Sequence, residues 1–205
     1  MIDPKNITNF NRTVDQLQEF LLFSIVVAGK NSKIQAQKLD DFLGNICADF
    51  KDENGHLPKN YFEALRWSAS FEDGNILIDN LREVRMGQYA RITKAFKSVS
   101  EIRSLETISL DELVKIQGIG PKTARFFLLH SREGMNCAVL DTHILKYLRD
   151  MGYEKIPKST PQDPKKYRKL ELAFVQCWHI HQHCNWETPL SLAQFDLKIW
   201  KKYSQ

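Results

Sequence analysis

Two side chains in the second half of the chain, Lys122 and Asp141, have the types needed for covalent chemistry on an electrophilic carbon. A neutral lysine amine is a nucleophile that forms Schiff bases. A carboxylate can move the nucleophile's proton and stabilise positive charge that develops on the substrate. The chemistry requires both groups to face the same reacting carbon. Whether they can do so depends on the secondary-structure elements that carry them.

Both residues are predicted to open helices. Ser109-x-x-Glu112 is a capping box, which predicts a short helix that ends at Gly118. The glycines of Gly118-Ile119-Gly120 predict a tight hairpin, and Pro121 fits the first turn of the following helix. Lys122 then lies in that first turn, beside backbone N–H groups that suit a phosphate.

Each of these features also has a simpler interpretation. A Gly-x-Gly hairpin often serves helix packing alone, and a lysine in a first turn can bind phosphate without doing chemistry. Asp141 precedes a helix with Ile144, Leu145 and Leu148 on one face, so it can act as the N-cap of that helix. The capping role and a chemical role are compatible.

Composition favours a helical globular protein with one domain or two small lobes. The chain has 205 residues, of which 42% are hydrophobic and 26% are charged. Its apolar runs are too short to cross a bilayer, so a cytoplasmic location is expected. The net charge of +4 permits a polyanionic partner. A basic run lies at Lys155, Lys158, Lys165, Lys166, Arg168 and Lys169, although such a run is usually a solvated face.

Hydrophobic spacing predicts the other elements. A capping box at Thr13 and Gln16 opens a helix that is apolar on all sides, and such a helix is typical of a protein centre. Ser32 is expected to cap the next helix. Residues 1–11 are predicted to form an arm, and residues 51–60 and 153–164 to form loops. Further helices are expected near residues 61–67, 76–81, 92–99, 167–177 and 190–200.

The segment from Ile116 to Ile144 resembles the helix-hairpin-helix superfamily of base-excision DNA glycosylases. That pattern is an apolar helix, Gly-apolar-Gly, one residue, Lys, and later Val-Asp-x-His. Here it reads Ile116-Gln117-Gly118-Ile119-Gly120-Pro121-Lys122, then Val139-Leu140-Asp141-Thr142-His143-Ile144. Gln117 stands where much of the superfamily has proline. Phe23-Ser24-Ile25 and Ala28 to Asn31 look like the helix and polar loop of 8-oxoguanine glycosylases, and Met86 to Arg91 is similar to the superfamily's turn beside the base pocket. Ile156-Pro157-Lys158, Tyr167 and Asp196 to Trp200 look most like the compact second family of 8-oxoguanine glycosylases.

The resemblance implies an all-α, two-lobed fold with the active-site cleft between the lobes. Residues 1–29 and 152–205 would form a terminal lobe. Residues 30–151 would form a central lobe, with the helix-hairpin-helix at 109–132. The implied function is that of a bifunctional DNA glycosylase and AP lyase, a monomer associated with the nucleoid. It would flip an oxidised purine, 8-oxoguanine, out of double-stranded DNA and excise it with Lys122 as nucleophile and Asp141 as carboxylate.

The resemblance also assigns binding residues. The DNA-binding residues would be Lys30, Asn31, Arg91, Gly118, Ile119, Gly120, Thr123 and His143, and the base pocket would include Met86, Asp196 and Trp200. Trp200 could equally be a core residue. Backbone carbonyls of Val114, Ile116 and Ile119 would hold a structural Na⁺ or K⁺. No cofactor is expected to be required.

Two departures leave alternatives open. The compact second family of 8-oxoguanine glycosylases has an aromatic residue where this chain has Met86, and a terminal lysine where this chain ends at Gln205. One alternative is therefore the same chemistry on another damaged or modified base. The other is a helix-hairpin-helix protein that binds DNA without catalysis.

Cysteine spacing argues against an iron-sulfur cluster. Cys177 and Cys184 are spaced like the first pair of the endonuclease III cluster loop, but Cys47 and Cys137 are remote in sequence. A zinc site at His179, His181, His183 and Cys184 stays open, although alternating histidines on a helix do not share a face.

Overall fold

The computed structural model describes residues 1–49, 51, 55–70, 76–184 and 189–204, and these residues form ten α-helices and no strand. The predicted all-α class is thereby confirmed. The helices are α1 (Val14–Val26), α2 (Ser32–Asp49), α3 (Tyr61–Ser70), α4 (Ile76–Glu83), α5 (Tyr89–Val99), α6 (Leu110–Lys115), α7 (Pro121–Ser131), α8 (Thr142–Asp150), α9 (Pro164–Cys184) and α10 (Leu192–Tyr203). None of the described helices is both long and apolar enough to span a bilayer.

Local side-chain caps set several helix starts. The predicted capping boxes at Thr13 and Ser109 are both present, each closed by its partner three residues later. A third box, at Ser191, starts α10. The predicted cap of α2 was one residue wrong, because the Oδ1 of Asn31 accepts the N–H of Ile34 at 3.1 Å. Ser32 is instead the first helical residue.

The chain divides into two compact units. The first contains residues 1–4 and 12–119, and the second contains residues 5–11 and 120–205. The predicted lobes, residues 1–29 with 152–205 and residues 30–151, stay a prediction. The boundary falls inside the Gly118 to Gly120 turn, so α6 belongs to the first unit and α7 to the second.

The first unit is built around α1. Phe20, Leu21, Leu22 and Ile25 of this helix are completely buried, as expected of a helix that is apolar on all sides. The helix packs against α2, α3 and α5, and the rings of Phe42 and Phe96 join α2 to α5 with centroids 5.6 Å apart.

The second unit is built around α10, which packs against α7, α8 and α9. Tyr147, Phe174 and Phe195 form a cluster of rings with centroids 5.3–6.1 Å apart. The expectation that residues 1–11 form an arm was incomplete, because Ile7 is buried and the N–H of Asn9 donates to the carbonyl of His130 at 3.1 Å. An isolated apolar residue gives no periodic signal, so the sequence could not show this docking.

Candidate active site

The turn before α7 depends on Gly118. Its φ of +91° lies in the left-handed region, and a Cβ there would be 2.8 Å from the Cβ of Ala95. The turn is closed by the N–H of Ile119, which donates to the carbonyl of Ile116 at 3.0 Å. Gly118 therefore has both conformational and steric reasons to be glycine.

The prediction that Gly120 also needs a backbone conformation that only glycine adopts easily was wrong. Gly120 is the N-cap of α7, with φ −88° and ψ 171°, an extended conformation open to most residues. A Cβ at this position would meet no atom within 4 Å. Only one of the two hairpin glycines is therefore required by the backbone of this turn.

Lys122 lies in the first turn of α7, directly after Pro121, and its side chain is partly exposed. The N–H of Ala124 donates to the carbonyl of Gly120 at 3.1 Å. The N–H groups of Lys122 and Thr123 precede this first helical bond and lack acceptors within the helix. Thr123 is buried, so a contact of its side chain with DNA is not favoured.

Asp141 is the N-cap of α8, as predicted. Its Oδ1 accepts the N–H of His143 at 2.8 Å and the N–H of Ile144 at 2.9 Å. Asp141 is only 9% exposed, so little water competes for the carboxylate. Both capping bonds use Oδ1, which leaves Oδ2 as the oxygen that could face a substrate.

His143 and Trp200 lie together in the second unit. The Nδ1–H of His143 donates to the carbonyl of Tyr203 at 2.9 Å, which ties the start of α8 to the end of α10. The rings of His143 and Trp200 meet edge to face, with centroids 6.0 Å apart. Trp200 is partly exposed, so it retains surface that a planar ligand could contact.

Asp196 is buried, with 4% of its surface exposed, and its Oδ2 lies 3.4 Å from the Nε2 of His130. Burial raises the pKa of Asp196, and the charge of Asp141 raises it further. The hydrogen bond and charge of His130 act in the opposite direction and outweigh the charge of Asp141, but burial is the largest influence. The Asp141 charge therefore acts on Asp196, whose burial makes it harder to ionise than an ordinary aspartate.

The second unit thus brings four predicted site residues into one neighbourhood: Asp141, His143, Asp196 and Trp200. Lys122 belongs to the same unit but lies on a different helix. Within the described part of the chain, Lys122 and Asp141 do not form an ion pair with each other.

Four other predicted residues, Lys30, Asn31, Met86 and Arg91, belong to the first unit. The Nζ of Lys30 donates to the carbonyl of Met86 at 2.6 Å, and the Met86 side chain is buried. Burial lowers the pKa of Lys30, and the positive charges of Arg91 and Lys38 lower it further. Asn31 is exposed while its side chain caps α2.

Arg91 connects three segments of the first unit. Its Nη2 donates to the carbonyl of Ile25 at 2.9 Å, and its Nη1 donates to the carbonyl of Gly118 at 3.2 Å. Its Nε donates to the Oε1 of Gln88 at 2.7 Å. The same guanidinium therefore holds the end of α1 near the Gly118 turn, a structural role that sequence reasoning missed.

The predicted cation site consists of backbone carbonyls of Val114, Ile116 and Ile119. The carbonyl of Ile116 already accepts the turn hydrogen bond from Ile119, so one of its two lone pairs is used. Of side-chain ligands, the described residues contain no group of three or more His, Cys, Asp or Glu arranged to hold a metal. His181, one of the candidate zinc ligands, accepts a hydrogen bond from the Nζ of Lys198 at Nε2, 3.2 Å away.

The segment that leads into Asp141 is held by α9 through side chains whose supporting role the sequence did not predict. The hydroxyl of Tyr167 donates to the carbonyl of Ala138 at 2.9 Å and accepts the N–H of Leu140 at 3.1 Å. The buried Glu171 accepts the N–H of Ala138 at 3.0 Å and the Nε of Arg125 at 2.7 Å. Side chains therefore satisfy backbone groups that a neighbouring strand would otherwise pair.

A glutamate on the apolar face of α9 was the available signal for this support, since a buried charge requires a partner. Sequence alone could not identify Arg125 as that partner.

We compared the chain with models of known protein families and with solved structures, and it matches none of them.

Proposed function

We propose that this protein is a bifunctional DNA glycosylase and AP lyase that excises an oxidised purine from double-stranded DNA. The observation that carries the proposal is the placement of Lys122 and Asp141 at the starts of two helices, α7 and α8, of one compact unit. Both residues also match the glycosylase motif of the sequence. The start of α7 presents N–H groups that could bind a phosphate, which would position a nucleotide beside Lys122.

In the proposed reaction, the neutral amine of Lys122 attacks C1′ of the flipped nucleotide. The bond between C1′ and the base breaks, and the base leaves with the bonding electron pair and takes up a proton. Opening of the sugar ring then gives a protonated Schiff base between C1′ and the lysine nitrogen. Loss of a proton from C2′ breaks the C3′–O bond, which nicks the strand.

Asp141 would act on the positive charge that develops at the sugar before the amine bond is complete. A carboxylate beside that charge stabilises the transition state, and it can accept a proton from the attacking amine. The capping bonds to His143 and Ile144 fix the orientation of the carboxylate in advance of substrate binding. Such prior fixation lowers the cost of reorganisation during the reaction.

Borohydride trapping on a duplex that contains 8-oxoguanine tests the proposal. Borohydride reduces the Schiff base to a stable amine, so the wild-type protein should become covalently attached to the damaged strand. Lys122→Gln should abolish the adduct, whereas Lys165→Gln, which removes an exposed lysine of α9 in the same unit, should not. Absence of an adduct from the wild type on every lesion, or an undiminished adduct with Lys122→Gln, would reject the function.

The damaged base itself is the least constrained part of the proposal. A panel of duplexes with 8-oxoguanine, oxidised pyrimidines and other modified bases, each run with wild type and Lys122→Gln, would identify it. A wild-type adduct with another lesion and none with 8-oxoguanine would keep the chemistry and replace the substrate.

A second candidate function is DNA binding without chemistry. It is favoured by the partial exposure of Lys122 beside the first-turn N–H groups of α7, an arrangement that suits a phosphate equally well. This function predicts that Lys122→Gln weakens DNA binding and lowers the salt dependence by about one phosphate contact. It also predicts no trapped adduct with any lesion.

A further inference from the structure

The second unit contains a cavity that is lined by residues of the N-terminal segment and of α10. The lining residues are Asn6, Thr8, Gln194, Leu197, Lys198 and Lys201, and the volume is about 390 Å³. This volume lies in the range of about 300–1,000 Å³ that small-molecule sites occupy. None of the lining residues belongs to the proposed active site.

One lining residue, Thr8, is hydrogen-bonded to a buried histidine. The Oγ1 of Thr8 and the Nδ1 of His130 share a hydrogen bond of 2.9 Å, and the Nε2 of His130 lies 3.4 Å from the Oδ2 of Asp196. His130 is completely buried, whereas Thr8 is partly exposed and also lines the cavity. His130 therefore holds the Thr8 side chain in place at the edge of the cavity.

The remaining lining is rich in hydrogen-bond donors. Lys198 and Lys201 are three residues apart and lie on one face of α10. The ammonium of Lys198 uses one donor on the Nε2 of His181, at 3.2 Å, and an ammonium has three. Asn6 and Gln194 add amide donors, and Leu197 is the apolar member of the lining.

We propose that this cavity is a second ligand site, which binds a phosphate group. Two ammonium groups and two amides match the needs of a tetrahedral oxyanion, since each phosphate oxygen accepts several hydrogen bonds and carries negative charge. Free nucleotides and the DNA backbone both carry this group. The site is independent of the chemistry at Lys122.

NMR titration of the ¹⁵N-labelled full chain tests the proposal. The probes are inorganic phosphate, a deoxynucleoside 5′-monophosphate and an undamaged DNA duplex, and the readout is the side-chain amide signals of Asn6 and Gln194. We expect these signals to shift saturably with at least one probe. Saturation with the monophosphate alone identifies a free nucleotide as the source, and saturation with the duplex in competition with inorganic phosphate identifies the DNA backbone.

Variants separate the site from general attraction to positive charge. The double substitution Lys198→Gln with Lys201→Gln should weaken binding by about tenfold or more, because it removes two charged donors to an anionic ligand. Lys202→Gln is the matched control, since it removes an exposed charge from the same helix without changing the lining. No saturable shift with any probe, or an equal loss in Lys202→Gln, would overturn the proposal.

Discussion

The Oδ1 of Asp141 accepts the backbone N–H of Ile144 at 2.9 Å, so the carboxylate proposed to act in catalysis also caps α8. The two roles depend on different properties of the side chain. Capping requires an oxygen acceptor, which asparagine also provides, whereas the chemical role requires negative charge. Substitutions at this position can therefore separate stability from catalysis.

Asp141→Asn should leave the melting temperature nearly unchanged, because asparagine is as good an N-cap as aspartate. Base excision should fall by about 100-fold to 10,000-fold, the usual contribution of a positioned acid or base. Asp141→Ala should lose activity and also about 1 kcal/mol of stability. Thermal melts and single-turnover excision assays give both quantities. Full activity in Asp141→Asn would leave the residue with a capping role alone.

Gly118→Ala should destabilise the protein by about 1–3 kcal/mol, because alanine is strained at a φ of +91° and its Cβ would overlap the Cβ of Ala95. Gly120→Ser is the matched control. It places a good N-cap residue at an extended position with open space, and should change stability by about 0.5 kcal/mol or less. Urea denaturation measures both. Similar losses of stability for the two variants would contradict the inference that the turn requires glycine at position 118 but not at position 120.

Arg125→Met should destabilise the second unit by about 3–5 kcal/mol, because it leaves the buried Glu171 carboxylate without its closest charged partner. The side chain of Glu171 is only 1% exposed, and that of Arg125 is 11% exposed. Arg168 pairs with the same carboxylate at 2.8 Å but is 54% exposed, so Arg168→Met should cost less than about 1 kcal/mol. Urea denaturation of the two variants measures both losses of stability. Equal losses would contradict the expectation that Arg125 stabilises the buried Glu171 more than Arg168 does.

The pH dependence of stability should show the raised pKa of Asp196. Its pKa is raised by burial, so the folded protein holds this proton more tightly than the unfolded chain, whose aspartates titrate near about 3.9. The stability of the wild type relative to Asp196→Asn should therefore fall as the pH rises from about 3.9 through the raised pKa, and then level off. Urea denaturation of both proteins from pH 4 to 8 gives this difference. A difference that rises with pH would mean that the native state favours the ionised carboxylate.

Local rules predicted what depends on a few neighbouring residues. The capping boxes at Thr13 and Ser109, the cap by Asp141 and the positive φ of Gly118 all follow from side-chain chemistry within one turn. Gly120 shows the limit of such rules, because a glycine in a turn motif does not reveal which conformation it adopts.

Hydrogen bonds between residues that are far apart in the sequence could not be predicted from local rules. Thr8 and His130 are hydrogen-bonded across 122 positions of sequence, and Glu171 and Ala138 across 33. No periodicity joins such pairs, since they follow from how α7, α9 and α10 pack. The motif could therefore identify Lys122 and Asp141, whereas the groups that support Asp141 required the fold.

The most direct measurement is peptide mapping of the borohydride-reduced adduct between the wild-type protein and a lesion-containing duplex. After nuclease and protease digestion, mass spectrometry should find the sugar remnant on the peptide that contains Lys122, with protease cleavage blocked at that residue. A remnant carried by another lysine or by the N-terminal amine, with Lys122 unmodified, would contradict the account.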